Sequence, residues 1–235
     1  MNERRTIHLN PATDVAERVL LPGDPQRALA VSQALLAEPK MMNTRRGLWG
    51  YTGTAPDGGL VTVQSTGMGG PSAAIVVEEL IDLGARTLVR IGTCGGLVKG
   101  LSLGDVLAVE VALAEDGAST ALGAGGRVEP DAALLAALTG CGAAAATVVS
   151  TDLFYDPRAG VPERWVAEGA AAVEMEAATV LTVARRRGAR AGCVLGVTDV
   201  LTSGRERMDQ DAVEALGVEL GRTALDALAA LAASS

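Results

Sequence analysis

The chain has 235 residues, of which 49% are hydrophobic and 20% charged, a balance that builds a sizeable core and excludes a disordered chain. A net charge of −8 argues against a basic nucleic-acid-binding face, and three scattered cysteines with a single histidine exclude a structural zinc site. No window of about 20 uninterrupted apolar residues is present to cross a membrane; the charged opening "MNERRTIHLN" lacks the apolar run of a secretory signal, so a reducing cytoplasm is the expected setting.

In chain order, "RVLLPGDP" reads as a strand ending in a turn, followed by a helix over Gln26–Ala37. "LWGYTGT" and "LVTVQST" read as two strands joined by the turn "APDGG". "GPSAAIVVEELIDLG" is a helix with Pro71 in its first turn and Gly84 at its end. "RTLVRIGT" and "DVLAVEVAL" are strands, the first of them buried. "EDGASTALGAGGRVEP" is Gly-rich and reads as an exposed, mobile loop. A helix at Asp131–Leu138, the strand "ATVVST" and a short helix in "GVPERWVAEGA" come next. A helix over Ala177–Arg187, the last strand "AGCVLGVTD" and an amphipathic helix over Val213–Ala233 complete the chain. This alternation is that of an α/β fold, and with no linker, repeat or break in composition it reads as one domain, residues 1–235.

Three features carry chemistry. "TVQSTGMGGPSAA" is a strand, a glycine loop and a helix start, a backbone that approaches anions closely. A dinucleotide site would want an acid about 20 residues on, at the end of the next strand, where "TLVRIGT" offers Arg90 instead. Arg27, Arg46 and Arg90 all lie beside glycine turns. Arg27 and Arg46, taken singly, read as surface charges. Arg90 sits in a strand reading as buried, so it needs an anion, and with backbone N–H groups and Thr93 it has the donors for phosphate. Finally, "AAVEMEAATV" places Glu174 and Glu176 in an apolar run, where carboxylates are costly without a partner. On extended backbone their i, i+2 spacing aims both to one side, toward one ligand, with Met175 turned elsewhere.

The motifs "LLPGDPQRA", "RRGLWGYTGT", "STGMGGPSAA", "VRIGTCGG", "STDLFY", "AVEMEAATV" and "GVTD" follow one another as in nucleoside phosphorylases of the NP-I type. The set resembles most the hexameric bacterial purine nucleoside phosphorylases, from about residue 8 to 200. The resemblance implies a single α/β domain whose central mixed sheet is partly closed as a barrel and flanked by helices. It implies reversible phosphorolysis of purine nucleosides, with inorganic phosphate as co-substrate and no further cofactor or metal. It implies a homo-oligomer, a hexamer built as a trimer of dimers, with no nucleic-acid or membrane partner.

Position by position, the resemblance assigns Gly23, Arg27, Arg90 and Thr93 to phosphate, with Arg46 supplied by a neighbouring subunit. His8, also given to the neighbour, belongs near the ribose 5′-hydroxyl. Met68, Met175, Glu174 and Glu176 line the ribose, chiefly Glu176. Cys94, Gly95, Phe154, Val173 and Thr198 match the base end, and Asp199 matches the general acid to purine N7. Relatives support that acid with an arginine on a mobile helix. The matching stretch here, around Ala212–Val213, has none, which leaves Arg205 or Arg207 for the task. Aspartate at 199 implies that 6-amino purines are accepted beside 6-oxo ones. Three rival readings ask for other residues. A uridine phosphorylase would carry a longer segment with a glutamine before "EME". A hydrolysing relative would not need Arg27 and Arg46. A catalytically silent nucleoside-binding protein would not need the whole set Arg27, Arg90, Glu176 and Asp199.

Overall fold

The computed structural model describes residues 6–202 and 204–233; the opening residues 1–5, read above for a secretory signal, lie outside the described residues. Three parallel strands form its centre: β1 (Arg18–Pro22), β5 (Thr87–Gly96) and β10 (Arg190–Val200). Each carries a short apolar run buried on both faces, as parallel strands covered by helices require. On one side β1 pairs with β4 (Leu60–Gln64), which continues through β3 (Gly50–Thr54) to the edge strand β2 (Ala37–Asn43). On the other side β5 pairs with β9 (Ala172–Glu174), then β8 (Ala144–Thr151) and β6 (Val106–Glu115), and β6 returns to β10. Because β10 also pairs with β5, these strands close into a ring. This is the α/β fold that the alternation of elements predicts, with the mixed, partly closed sheet that the resemblance implied.

Helices cover both faces. α2 (Gly70–Asp82) and α6 (Ala177–Arg186) pack into one core, with Ala73, Val76, Val77, Ala177, Ala178 and Val180 fully buried. α1 (Pro25–Leu35), α4 (Ala132–Gly140) and α7 (Gln210–Ala233) build the other through Val31, Leu134, Leu220 and Leu228. Local chemistry starts these helices where they start. The Asp24 carboxylate accepts the Gln26 N–H at 2.7 Å and Pro25 sets the first turn of α1. Asp131 caps α4 in the same way through the Leu134 N–H.

Four sequence expectations need correction. Helix α1 stops at Leu35, and Ala37–Asn43 is a strand. Pro39 and the positive φ of Glu38 disguise it, and both are tolerable because β2 is a sheet edge with a register shift at that point. Residues 115–130 are not an exposed loop. They hold α3 (Gly117–Ala121) and β7 (Arg127–Val128), anchored by Asp116, which is buried and caps Ser119. β10 is not the last strand, because β11 (Glu206–Arg207) folds back antiparallel on Asp199 and Val200. α7 begins at Gln210, before Val213, with the Asp209 carboxylate accepting the Ala212 N–H. The short helix in "GVPERWVAEGA" is α5 (Val161–Ala167).

Candidate active site

The C-terminal ends of β1, β5, β8, β9 and β10 open onto one cavity of about 700 Å³, the position where α/β sheets gather their ligands. Every residue assigned above to phosphate, ribose, base or acid lines it, except His8 and Arg46.

Arg90 lies at its floor, 3% exposed. Its Nε and Nη2 donate to Glu174 Oε2 at 3.0 and 2.9 Å, and Nη2 meets Glu176 Oε2 at 2.5 Å. The i, i+2 spacing does send both carboxylates to one side, but their shared partner is this guanidinium. Two expectations are thereby overturned: Arg90 does not lack an anion, and the glutamates do not lack a protein partner. The physical reason is mutual, since burial is affordable for each charge only because the others are there. Met175 lines the cavity together with Val173, Glu174 and Glu176.

Glu174 is saturated. Besides Arg90, it accepts the Ser150 hydroxyl and the N–H groups of Glu176 and Ala177, at 2.9 Å for the shortest contact to each amide. It therefore caps α6 from the end of β9. Glu176 has fewer partners, taking the Gly69 N–H at 2.5 Å on Oε1 and Arg90 on Oε2. That bond ties the glycine loop, whose Gly67 and Gly69 have φ of 73° and 87°, to the start of α6. The loop is also zipped to β1, the Gly67 N–H donating to the Gly23 carbonyl at 3.0 Å. Burial pushes the Glu176 carboxyl above its usual range against the pull of Arg90. Burial draws Arg90 down, yet the two carboxylates hold it above its ordinary value. Gly92 is required by the same cluster, because a Cβ there would stand 2.6 Å from Arg90 Nη2.

Arg27 is different. It is partly buried in the cavity wall and, among the described residues, has no ion pair within 4 Å. Burial lowers its pKa, Asp24 opposes that, and the nearby Arg90 lowers it further. It is therefore not the surface charge that its isolated sequence context indicates.

At the far end, Asp199 stands where β10 shifts register beyond Val197, a bulge that re-aims side chains. Arg205 Nε donates to Asp199 Oδ1 at 2.8 Å, whereas Arg207 Nε is 3.9 Å from it. Thr198 Oγ1 donates to Oδ2 at 3.2 Å. The Arg205 guanidinium carbon also sits 5.1 Å from the Phe154 ring centre, within cation–π range. Cys94 and Cys193 are buried, and burial drives both thiols well above their ordinary pKa, so neither is a nucleophile. Sequence reasoning missed Leu153, Trp165 and Leu201 as apolar walls. Trp165 carried a usable signal, as one of two tryptophans in a chain with 2% aromatic residues.

His8 and Arg46 lie away from this cavity. The His8 ring Nδ1 contacts Glu79 Oε1 at 2.8 Å, and the same carboxylate accepts the N–H groups of Ile7, His8 and Leu9. Arg46 is exposed, on a 3-10 turn (Arg45–Gly47), with a left-handed φ of 58° that a non-glycine residue adopts at a cost.

Comparison with other proteins gives one family throughout. Residues 17–233 match the phosphorylase superfamily. A DeoD-type purine nucleoside phosphorylase of Roseobacter denitrificans is 37% identical over 222 residues, covering 90% of this chain and 94% of that protein. Proteins of the same name from Jannaschia sp. and Geobacillus kaustophilus are 39% and 36% identical, over 83% and 86% of this chain and 88% and 89% of theirs.

Proposed function

The chain belongs to the phosphorylase superfamily, and from that premise we propose that it is a purine nucleoside phosphorylase, a pentosyltransferase that converts purine (2′-deoxy)ribonucleosides and inorganic phosphate to free base and (2-deoxy)ribose 1-phosphate. The observation that carries this reading is Arg27. It is a partly buried guanidinium without an ion pair among the described residues, beside a glycine loop and across from an arginine whose own charges are already met. Such a site calls for an external anion of phosphate's size and charge.

In the reaction, a phosphate oxygen bonds to C1′ as the C1′–N9 bond breaks, and the bonding pair leaves with the base. Phosphate, held by Arg27 with Gly23 and Thr93, stabilises the positive charge that builds on the sugar. Arg90 reaches that end chiefly by fixing Glu176, which offers its remaining acceptor capacity to the ribose hydroxyls. Phe154 and the apolar wall of Trp165 and Leu201 receive the planar base. Asp199 in its protonated form gives its proton to purine N7, and Arg205 stabilises the carboxylate that remains. No organic cofactor takes part. We propose that His8 and Arg46 are given to a neighbouring subunit in a hexamer working in the cytoplasm, a reading supported by their position away from this chain's own cavity. Among the described residues no helix is long and apolar enough to cross a membrane.

The test is a panel of adenosine, inosine, guanosine and uridine, each with and without phosphate, read by base release and by formation of ribose 1-phosphate. Phosphate-dependent release from the purine nucleosides is expected. Release from uridine alone would remove the purine assignment, and release without phosphate would make the protein a hydrolase.

A further inference from the structure

We infer that Gly217, on the C-terminal helix α7, is a positioning residue that aims Arg27 into the cavity. The inference rests on the reading of Arg27 as a phosphate ligand.

Arg27 has no ion-pair partner among the described residues to fix its head, so its direction must come from what packs against its stem. That surface is Gly217. A Cβ built on Gly217 would stand 3.0 Å from each of Arg27 Cγ, Cδ and Nε, closer than such contacts ordinarily come. The stem of the arginine therefore lies directly on the backbone of α7, along three consecutive atoms. Contact over that length restricts the side-chain torsions that decide where the guanidinium points.

The helix itself has no use for this glycine. Gly217 is buried within the run of α7 and does not have the left-handed backbone that would exclude other residues. A glycine in a helix interior weakens the helix relative to alanine. What Gly217 supplies is space for one side chain. Gly221, one turn further along, is the built-in comparison. A Cβ there would stand 2.8 Å from Val31 Cγ1 and 3.0 Å from Leu35 Cδ1, both in the apolar seam between α1 and α7. The two glycines thus have separable roles on one helix face. Gly221 seats the core of α1, and Gly217 seats the α1 arginine that leaves the core for the cavity.

The experiment is steady-state kinetics with phosphate and nucleoside varied separately, together with thermal melting, on Gly217→Ala, Gly221→Ala, Arg27→Ala and the double variant Arg27→Ala/Gly217→Ala. Gly217→Ala should raise the phosphate KM by about tenfold, as a ligand displaced by a fraction of an ångström does, with the nucleoside KM within about twofold of wild type. Its melting temperature should be equal to or above that of wild type. Gly221→Ala should lower the melting temperature and leave the phosphate KM alone. In the double variant the Gly217 change should add nothing to the loss caused by Arg27→Ala. A wild-type phosphate KM for Gly217→Ala, with a raised one for Arg27→Ala, would sink the inference and leave the functional reading standing. A wild-type phosphate KM for Arg27→Ala would end both. If Gly217→Ala fails to fold or melts as early as Gly221→Ala, Gly217 is packing alone and the positioning role is wrong.

Discussion

Arg90 and Arg27 face one cavity and are treated in opposite ways. Around Arg90 the chain has assembled two carboxylates, which pair with its Nε and Nη2, and around Glu174 a serine hydroxyl and the first amides of a helix, leaving Glu174 fully engaged. Around Arg27 it has placed a glycine backbone and an exposed capping aspartate, and no ion pair within 4 Å among the described residues. A buried charge with its partners built in belongs to the scaffold. A charge held in place with no such partner is left for a ligand.

The largest effects should separate the two arginines. Arg90→Gln strands two buried carboxylates, so unfolding free energy should fall by about 3–5 kcal/mol and activity should vanish with it. A variant that melts like wild type would show that the cluster is not a structural unit. Arg27→Ala should keep wild-type stability while kcat/KM for phosphate falls about 30- to 100-fold, the order of one lost charge-assisted contact. Denaturant melts set beside phosphate titrations read both.

The glutamates sharpen the contrast within a single motif. Glu176→Gln should cost turnover on ribonucleosides well beyond what it costs in stability, because its carboxylate still has capacity for a sugar. Glu174→Gln should do the reverse and lower unfolding free energy by about 2 kcal/mol, because an amide cannot accept all the donors that converge on that side chain. Equal losses of kcat at equal melting temperature would erase the distinction.

This contrast also marks how far the sequence could be read. The turn at Gly23, the glycine loop and the strand end at Asp199 are local patterns, and the cavity forms from them as expected. The partner of Glu174 was not legible, because Arg90 lies 84 residues upstream and only the closure of β5 against β9 brings them together. β2 was hidden by Pro39, which is acceptable only at a sheet edge, a property of position and not of composition. The choice between Arg205 and Arg207 turns on 2.8 against 3.9 Å, set by the β11 hairpin, which lies beyond the strand that the sequence reading took for the last. Arg205→Ala should therefore reduce purine turnover several-fold, on the order of one charge-assisted bond at a half-exposed site, while Arg207→Ala stays near wild type. Equal effects from the two variants would mean that this hairpin does not decide which arginine serves Asp199.

The smallest effect concerns a third carboxylate, Glu79, saturated like Glu174 but at the surface. Burial raises its pKa, yet the amides of Leu9, His8 and Ile7 and the His8 ring outweigh that, so it lies below the ordinary carboxylate value. A depressed carboxylate contributes stability that is fully present above its unfolded pKa of about 4.3 and is lost as pH falls through the folded value. Acidification below about pH 4 should therefore release residues 7–9 before the barrel gives way, seen as faster hydrogen exchange at those amides while β5 and β10 remain protected. If His8 serves a neighbouring site, Glu79→Gln at neutral pH should raise the nucleoside KM about two- to threefold, a fraction of one hydrogen bond's worth, and leave the phosphate KM unchanged. Protection at Ile7–Leu9 that persists to the pH of global unfolding would show that Glu79 does not hold the segment.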